Sequence, residues 1–191
     1  MIVKTIYQTL EDRDNPDYIE LHAPFKCNRK NAWLGNGYYF WDTFIEIAHW
    51  WGEFSYNNSY VICEASCDFN EENCLDLVGN TEHMLEFHNA INLLKKQKLI
   101  KNKTTVARIL SFMKSKIPEF NYDAIRVYGI NSIGNKEENK KYLYRLPFIT
   151  NQAQFLDYKP PIQICVFNKK RVNFRNFKIV YPDKYIIDFM I

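Results

Sequence analysis

Residues 34–52 read LGNGYYFWDTFIEIAHWWG, and the fold turns on how that stretch is read. Gly35-Asn36-Gly37 is a turn signal. The aromatic run after it, GYYFW, is rich in rings that favour a strand. Asp42 or Thr43 is placed to cap a helix over about 43–51, and Gly52 to end it. By residue type alone this is an edge strand and a helix whose tryptophans pack in or beside the core. A lone Gly-x-Gly is weak evidence for anything more.

Outward from that stretch, IVKTIYQ (2–8) alternates as a first strand. Pro16 opens a short helix, PDYIELH, and APFKCNRKNAW reads as loop. SYVICEASC (59–67) is the clearest strand, with a short pairing expected at CLDL. The segment 81–98 carries apolar residues at 84, 87, 91 and 94, and 104–116 carries them at 106, 109, 110 and 113; both are helical stripes. YDAIRVYG is another strand, GINSIGNKEENKK a surface loop, and YLYRLPF, IQICVF and FKIVYPDKYIIDF are further strands. The expectation is a single α+β domain over 1–191, with a helical insertion at about 80–118.

Composition bounds the function classes. The chain has 191 residues, 47% of them hydrophobic and 16% aromatic, so rings build much of a core or a cleft. A net charge of +3 does not by itself argue for nucleic acid. KKQK (95–98) and KKR (169–171) read as solvated faces. No apolar run approaches the ~20 residues of a membrane span, and the start lacks the apolar core of a signal peptide. The five cysteines (27, 63, 67, 74, 165) form no CxxC pair, and the histidines at 22, 49, 83 and 88 have no metal-ligand spacing with them. Reduced thiols, no metal and a cytoplasmic location are expected, with Cys63 and Cys67 as buried thiols on one face of a strand.

GNGYYFWD followed by AHW resembles the GKGIYFAD…ANY segment of the poly(ADP-ribose) polymerase-type ADP-ribosyltransferases. Both glycines, the Tyr-Phe pair, the Asp and an Ala-x-aromatic match in order and distance. IQICVFNKKRVNF (162–174) is similar to the family's EYIVYDIAQVNL strand in its apolar spacing and its Val-Asn pair. Gln163 stands where the family's catalytic glutamate stands; some bacterial branches carry His, Tyr and then Glu, Asp or Gln. The family's first strand ends in an aromatic-His-Gly motif. By distance to Tyr39, Gln8 falls at the histidine and Thr9 at the glycine, with His22 as the rival for the histidine.

The resemblance implies a split antiparallel sheet of the ADP-ribosyltransferase type and NAD as substrate, with no metal. Tyr39 and Trp50 would sandwich the nicotinamide, a flat cation held by stacking and cation–π attraction. Gly37 would let the backbone pass close to the ligand. Gln8 and Thr9 would orient ribose and carboxamide, and the Gln163 oxygen would accept from a ribose hydroxyl. The nicotinamide–ribose bond would break through an oxocarbenium-like state, as in glycoside chemistry. An amide cannot serve as general base, so single ADP-ribose transfer to a macromolecular acceptor, protein or nucleic acid, or slow NAD hydrolysis is expected. Analogy to the superfamily suggests a bacterial toxin or defence effector with an antitoxin. A non-catalytic NAD- or ADP-ribose-binding module of the same fold is the alternative.

Overall fold

Alternation carries the first strand, β1 (Ile2–Glu11), past the expected end, and Pro16 opens α1 (Pro16–His22). The aromatic run forms β2 (Tyr38–Asp42), followed by α2 (Ile45–Tyr56), β3 (Tyr60–Phe69), β4 (Cys74–Asp76), α3 (Thr81–Lys96) and α4 (Val106–Lys116). Then come β5 (Ala124–Tyr128), β6 (Arg145–Pro147), β7 (Phe155–Asp157), β8 (Ile162–Val166) and β9 (Arg175–Tyr181). The computed structural model describes residues 2–129 and 137–186. Most of the expected loop after Gly129, and the end of the last expected strand, lie outside the described residues.

Among those residues the chain is α+β, with four α-helices and a seven-stranded sheet in the order β4-β5-β8-β2-β1-β3-β9. β6 and β7 form a separate hairpin. Neighbours in the large sheet are antiparallel except β4 and β5, so the sheet is mostly antiparallel with one parallel pair at its edge. Parallel neighbours need a crossover connection, and α3 and α4 supply it. Asn80 caps α3 through the Glu82 and His83 N–H groups, and Thr105 caps α4 through that of Arg108. Ala90, Leu94, Ile109, Leu110 and Met113 of this pair bury Leu75, Ile125 and Cys165 of the sheet. Met84 and Val106, expected on the buried stripes, are exposed. On the other half of the sheet, α2 packs on Tyr7, Trp41 and Ile62.

The two halves meet at a narrow seam. β1 pairs with β3 from Ile2↔Phe69 to Glu11↔Tyr60, and β2 pairs with β8 from Tyr38↔Val166 to Trp41↔Gln163. β1 and β2 pair only at Ile6↔Asp42 and Tyr7↔Trp41. In the same register Gln8 would oppose Phe40 and Thr9 would oppose Tyr39. The strands part there instead, and the sheet forks. Asp42 clamps the closed end: its carboxylate takes Arg126 Nε of β5 at 2.6 Å and Lys4 Nζ of β1 at 3.3 Å. Arg126 also holds Asp76 of β4 at 3.1 Å. Asp42 is 3% exposed, so these charges pair in a low dielectric, where losing one partner is expensive.

That use of Asp42 explains why it does not cap α2, as the sequence led us to expect. Phe44 stands at the cap with no side-chain hydrogen bond. Gly52 does not end the helix either. It lies within α2, where a Cβ would sit 2.3 Å from the Tyr60 ring, and Asn57 takes the left-handed position beyond the last turn. Gly37 is likewise a packing glycine. A Cβ there would meet Cys165 Sγ at 2.3 Å and the Val166 carbonyl at 2.9 Å.

Two substitutions at the seam, and one at an open glycine away from it, test this packing. Gly37→Ala forces β2 away from β8 and is expected to cost about 1–3 kcal/mol, read as a lower urea midpoint. Gly129→Ala, where a Cβ meets nothing within 4 Å, should stay within about 0.5 kcal/mol of wild type. Asp42→Ala leaves Lys4 unpaired and Arg126 half-paired, with an expected loss of about 3 kcal/mol in the same titration.

Candidate functional site

The fork holds a cavity of 480 Å³, within the range of small-molecule sites. One edge is β1 at Gln8, Thr9 and Leu10, and the other is β2 at Tyr39, Phe40 and Trp41. Gln163 of β8 lines it beside Trp41, its cross-strand partner. Trp51 and Tyr56 of α2, with the segment 25–33, complete the wall.

Backbone groups exposed by a fork must find partners. The Gln8 amide supplies two: its oxygen accepts the Phe25 N–H at 3.0 Å, and its nitrogen donates to the Phe25 carbonyl at 3.1 Å. The same nitrogen lies 3.4 Å from the Tyr39 carbonyl. Two residues on, Cys27 and Gly37 exchange backbone hydrogen bonds of 2.8 and 3.2 Å. The wall segment is therefore stitched to both prongs, to β1 through a side chain and to β2 through the backbone. Thr9 turns its hydroxyl to the Ala48 carbonyl of α2 at 2.9 Å. The Tyr39 hydroxyl donates to the Gly35 carbonyl at 2.7 Å and accepts the Leu34 N–H at 2.8 Å. Burial, with the neighbouring Cys165 thiol, pushes that phenol's ionisation well above its ordinary range.

Gln163 differs from these. It is 6% exposed, and its Oε1 is buried without a hydrogen-bond partner. An unmet acceptor of this kind costs about 1–3 kcal/mol, and here it belongs to a residue that lines a cavity. Lys26 and Arg29 bring positive charge to the same space, and among the described residues no carboxylate lines it. Tyr39, Trp41 and Trp51 contribute rings; the Trp51 indole meets Trp33 and Trp41 with centroids 5.8 and 5.9 Å away. The chemistry on offer suits an anionic ligand that carries a flat ring and hydroxyl groups.

Of the residues singled out in the sequence, Gln8, Thr9, Tyr39 and Gln163 meet in this cavity. Trp50 and Gly37 do not. The Trp50 side chain is fully buried against Trp41 and Phe54, and the α2 indole that lines the cavity is Trp51. Gly37 is held against β8 by the close approach of Cys165. The Gln8 amide is engaged by Phe25. His22 is exposed at the end of α1, stacked on Tyr18, with Nδ1 on the Tyr18 carbonyl. Sequence reading missed Lys26, Arg29 and Trp51. The basic residues of FKCNR were the available signal, but nothing in that loop's composition says that it closes a fork. Among the described residues, no group of three or more His, Cys, Asp or Glu is placed to hold a metal ion, and no helix is long and apolar enough to cross a membrane.

Neither a protein-family model nor, at a significant level, a solved structure matches the chain. It is similar to an uncharacterized protein of the archaeon Methanocaldococcus jannaschii, 27% identical over 183 residues, a match that spans 86% of this chain and 82% of the relative.

Proposed function

We propose that the protein is an NAD-dependent mono-ADP-ribosyltransferase with a split-sheet ADP-ribosyltransferase-like fold, and that the fork cavity is its NAD site. The observation that carries this reading is the convergence of Gln8, Thr9, Tyr39 and Gln163, distant in sequence, on one cavity between parting strands. The facing edges of β1 and β2 suit a carboxamide, which has both a donor and an acceptor. The nicotinamide ring would lie among Tyr39, Trp41 and Trp51, so Trp51 takes the part first assigned to Trp50. Lys26 and Arg29 suit the pyrophosphate. Gln163 Oε1 would accept from a ribose hydroxyl and gain the partner it lacks. Gln8, its amide engaged, would act as a positioning residue that holds the wall at Phe25 rather than as a ribose contact.

In the reaction the bond between nicotinamide nitrogen and ribose C1′ breaks. Its electron pair leaves with nicotinamide, and the cationic ribose is captured by an acceptor nucleophile or by water. The chain offers orientation of the leaving group and an oxygen dipole beside the forming cation. Among the described residues no carboxylate lines the cavity to act as base, so the acceptor must bring a good nucleophile. That same lack favours a second reading, NAD binding without turnover.

Incubation with NAD and chromatography of free nicotinamide separates the two. Turnover that falls at least tenfold in Tyr39→Ala and Gln163→Ala supports the transferase. Thermal stabilisation by NAD without nicotinamide release supports the binding module. Gln163→Glu places a full negative charge beside the forming cation and is expected to raise nicotinamide release by a factor on the order of 10². No stabilisation and no release in any of these proteins would exclude both readings.

A further inference from the structure

Four of the five cysteines are buried, and Cys27 is half-buried in the cavity wall. Cys27 and Gly37 form an antiparallel pair that exchanges both backbone hydrogen bonds, and side chains in such a pair stand on one face about 5 Å apart at Cβ. Gly37 has no side chain, and Cys165 Sγ fills the vacancy: it lies 2.3 Å from where a Cβ at 37 would be. The Cys165 sulfur thus leans across the sheet onto the site directly opposite Cys27. The Cys165 thiol also borders Tyr39, its cross-strand partner. Cys63 and Cys67 are four residues apart on one strand, roughly 13 Å at the strand rise, beyond disulfide reach.

We propose that Cys27 and Cys165 form a disulfide across Gly37 when the protein meets hydrogen peroxide, and that this bond locks the cavity wall to β8. Cys27 reacts first because it is the accessible sulfur. Its thiolate attacks peroxide; the O–O bond breaks, one oxygen stays as Cys27 sulfenic acid and the other leaves as water. The Cys165 sulfur then attacks the Cys27 sulfur. The S–O bond breaks, and the hydroxyl departs as water with the Cys165 thiol proton. The two thiols lose two electrons together, and the peroxide is reduced to two waters. Cys165 is fully buried, which keeps it from meeting peroxide on its own; it takes the resolving part by its place beside Gly37, and its thiol proton passes to the departing hydroxyl as it attacks. Cys27 and Cys165 flank the Gly37 strand on opposite sides, about 10 Å apart at two strand spacings, so closure asks the Cys27 segment to lift off its Gly37 hydrogen bonds and move by at least about 3 Å toward β8. At Cys27 the segment is tied to β2 by two backbone hydrogen bonds, while Phe25 on one side and Trp33 on the other are packed on the core cluster and on Trp51. The cross-link fixes Lys26 and Arg29 in place and does not depend on which ligand the cavity takes.

The test is peptide mapping without reductant, after brief treatment of the full chain with hydrogen peroxide and blocking of free thiols with N-ethylmaleimide. The expected product is one intramolecular peptide pair joining Cys27 to Cys165, lost on addition of dithiothreitol and absent from Cys27→Ser. In Cys165→Ala the Cys27 sulfenic acid persists, and its dimedone adduct rises at least fivefold over wild type. Equal dimedone labelling of wild type and Cys165→Ala would overturn the proposal, as would a Cys27 left unoxidised or joined to another cysteine or a second chain. Should Cys165→Ala fail to fold, the mapping of wild type against Cys27→Ser decides the matter alone.

Discussion

The structure depends on the early end of one β-ladder. β1 and β2 pair at two positions, with Asp42 clamped by Lys4 and Arg126 at the closed end, and then part. A parted sheet exposes backbone donors and acceptors, and such groups are costly to bury unpaired. Here they are met by a strand substitute. Gln8 presents a primary amide, chemically a short peptide group, to both polar atoms of Phe25. Cys27 then pairs with Gly37 as a strand would. The wall segment behaves as a fragment of an eighth strand wedged into the fork, and the space it leaves unfilled is the cavity.

Aromatic side chains divide the labour around this space. In α2, Trp50 is fully buried and its Nε1 has no hydrogen-bond partner. Burying some 150–250 Å² of ring offsets that loss at about 25 cal/mol per Å². Trp50 therefore anchors the helix, while Trp51, one position on and about 100° around the helix, faces the cavity. Tyr60 and Tyr181 stack at 4.9 Å, and His49 donates to or accepts from the Tyr60 hydroxyl at 2.9 Å, so the outer half of the sheet is closed by rings too. The high aromatic content is thus mostly core, with a few rings spared for the cavity.

Local signals carried much of the fold. Asn80 and Thr105 sit where short polar residues precede helical stripes, and GYYFW became a strand because its neighbours favour nothing else. Long-range geometry was less legible. Gly37 looked like a ligand-facing glycine, but only the position of Cys165 on another strand decides what its missing Cβ makes room for. Asp42 looked like a helix cap, and the cations that claim it lie 38 residues before and 84 after. Choosing between Trp50 and Trp51, which point about 100° apart on the helix, required knowing which face of α2 docks on the sheet, and that is set by its partners Tyr7, Trp41 and Ile62. The meeting of Gln8, Thr9, Tyr39 and Gln163 was anticipated only through likeness to a family motif, because nothing in residue type or period brings position 8 to position 163.

The charge pattern of the cavity limits what it can do more tightly than its shape. Lys26 and Arg29 favour an anionic ligand at the wall, while the inner end holds rings and an amide and, among the described residues, no carboxylate. A positively charged ring can be held there by aromatic faces, but among the described residues a cation forming on a sugar would meet the Gln163 oxygen as a dipole rather than a full negative charge. Dipoles fixed in place stabilise charge without having to reorganise, yet each supplies less than a full counter-charge. Such a site would hold a ground state well and a transition state modestly, and so would place the demand for reactivity on the acceptor rather than on the chain.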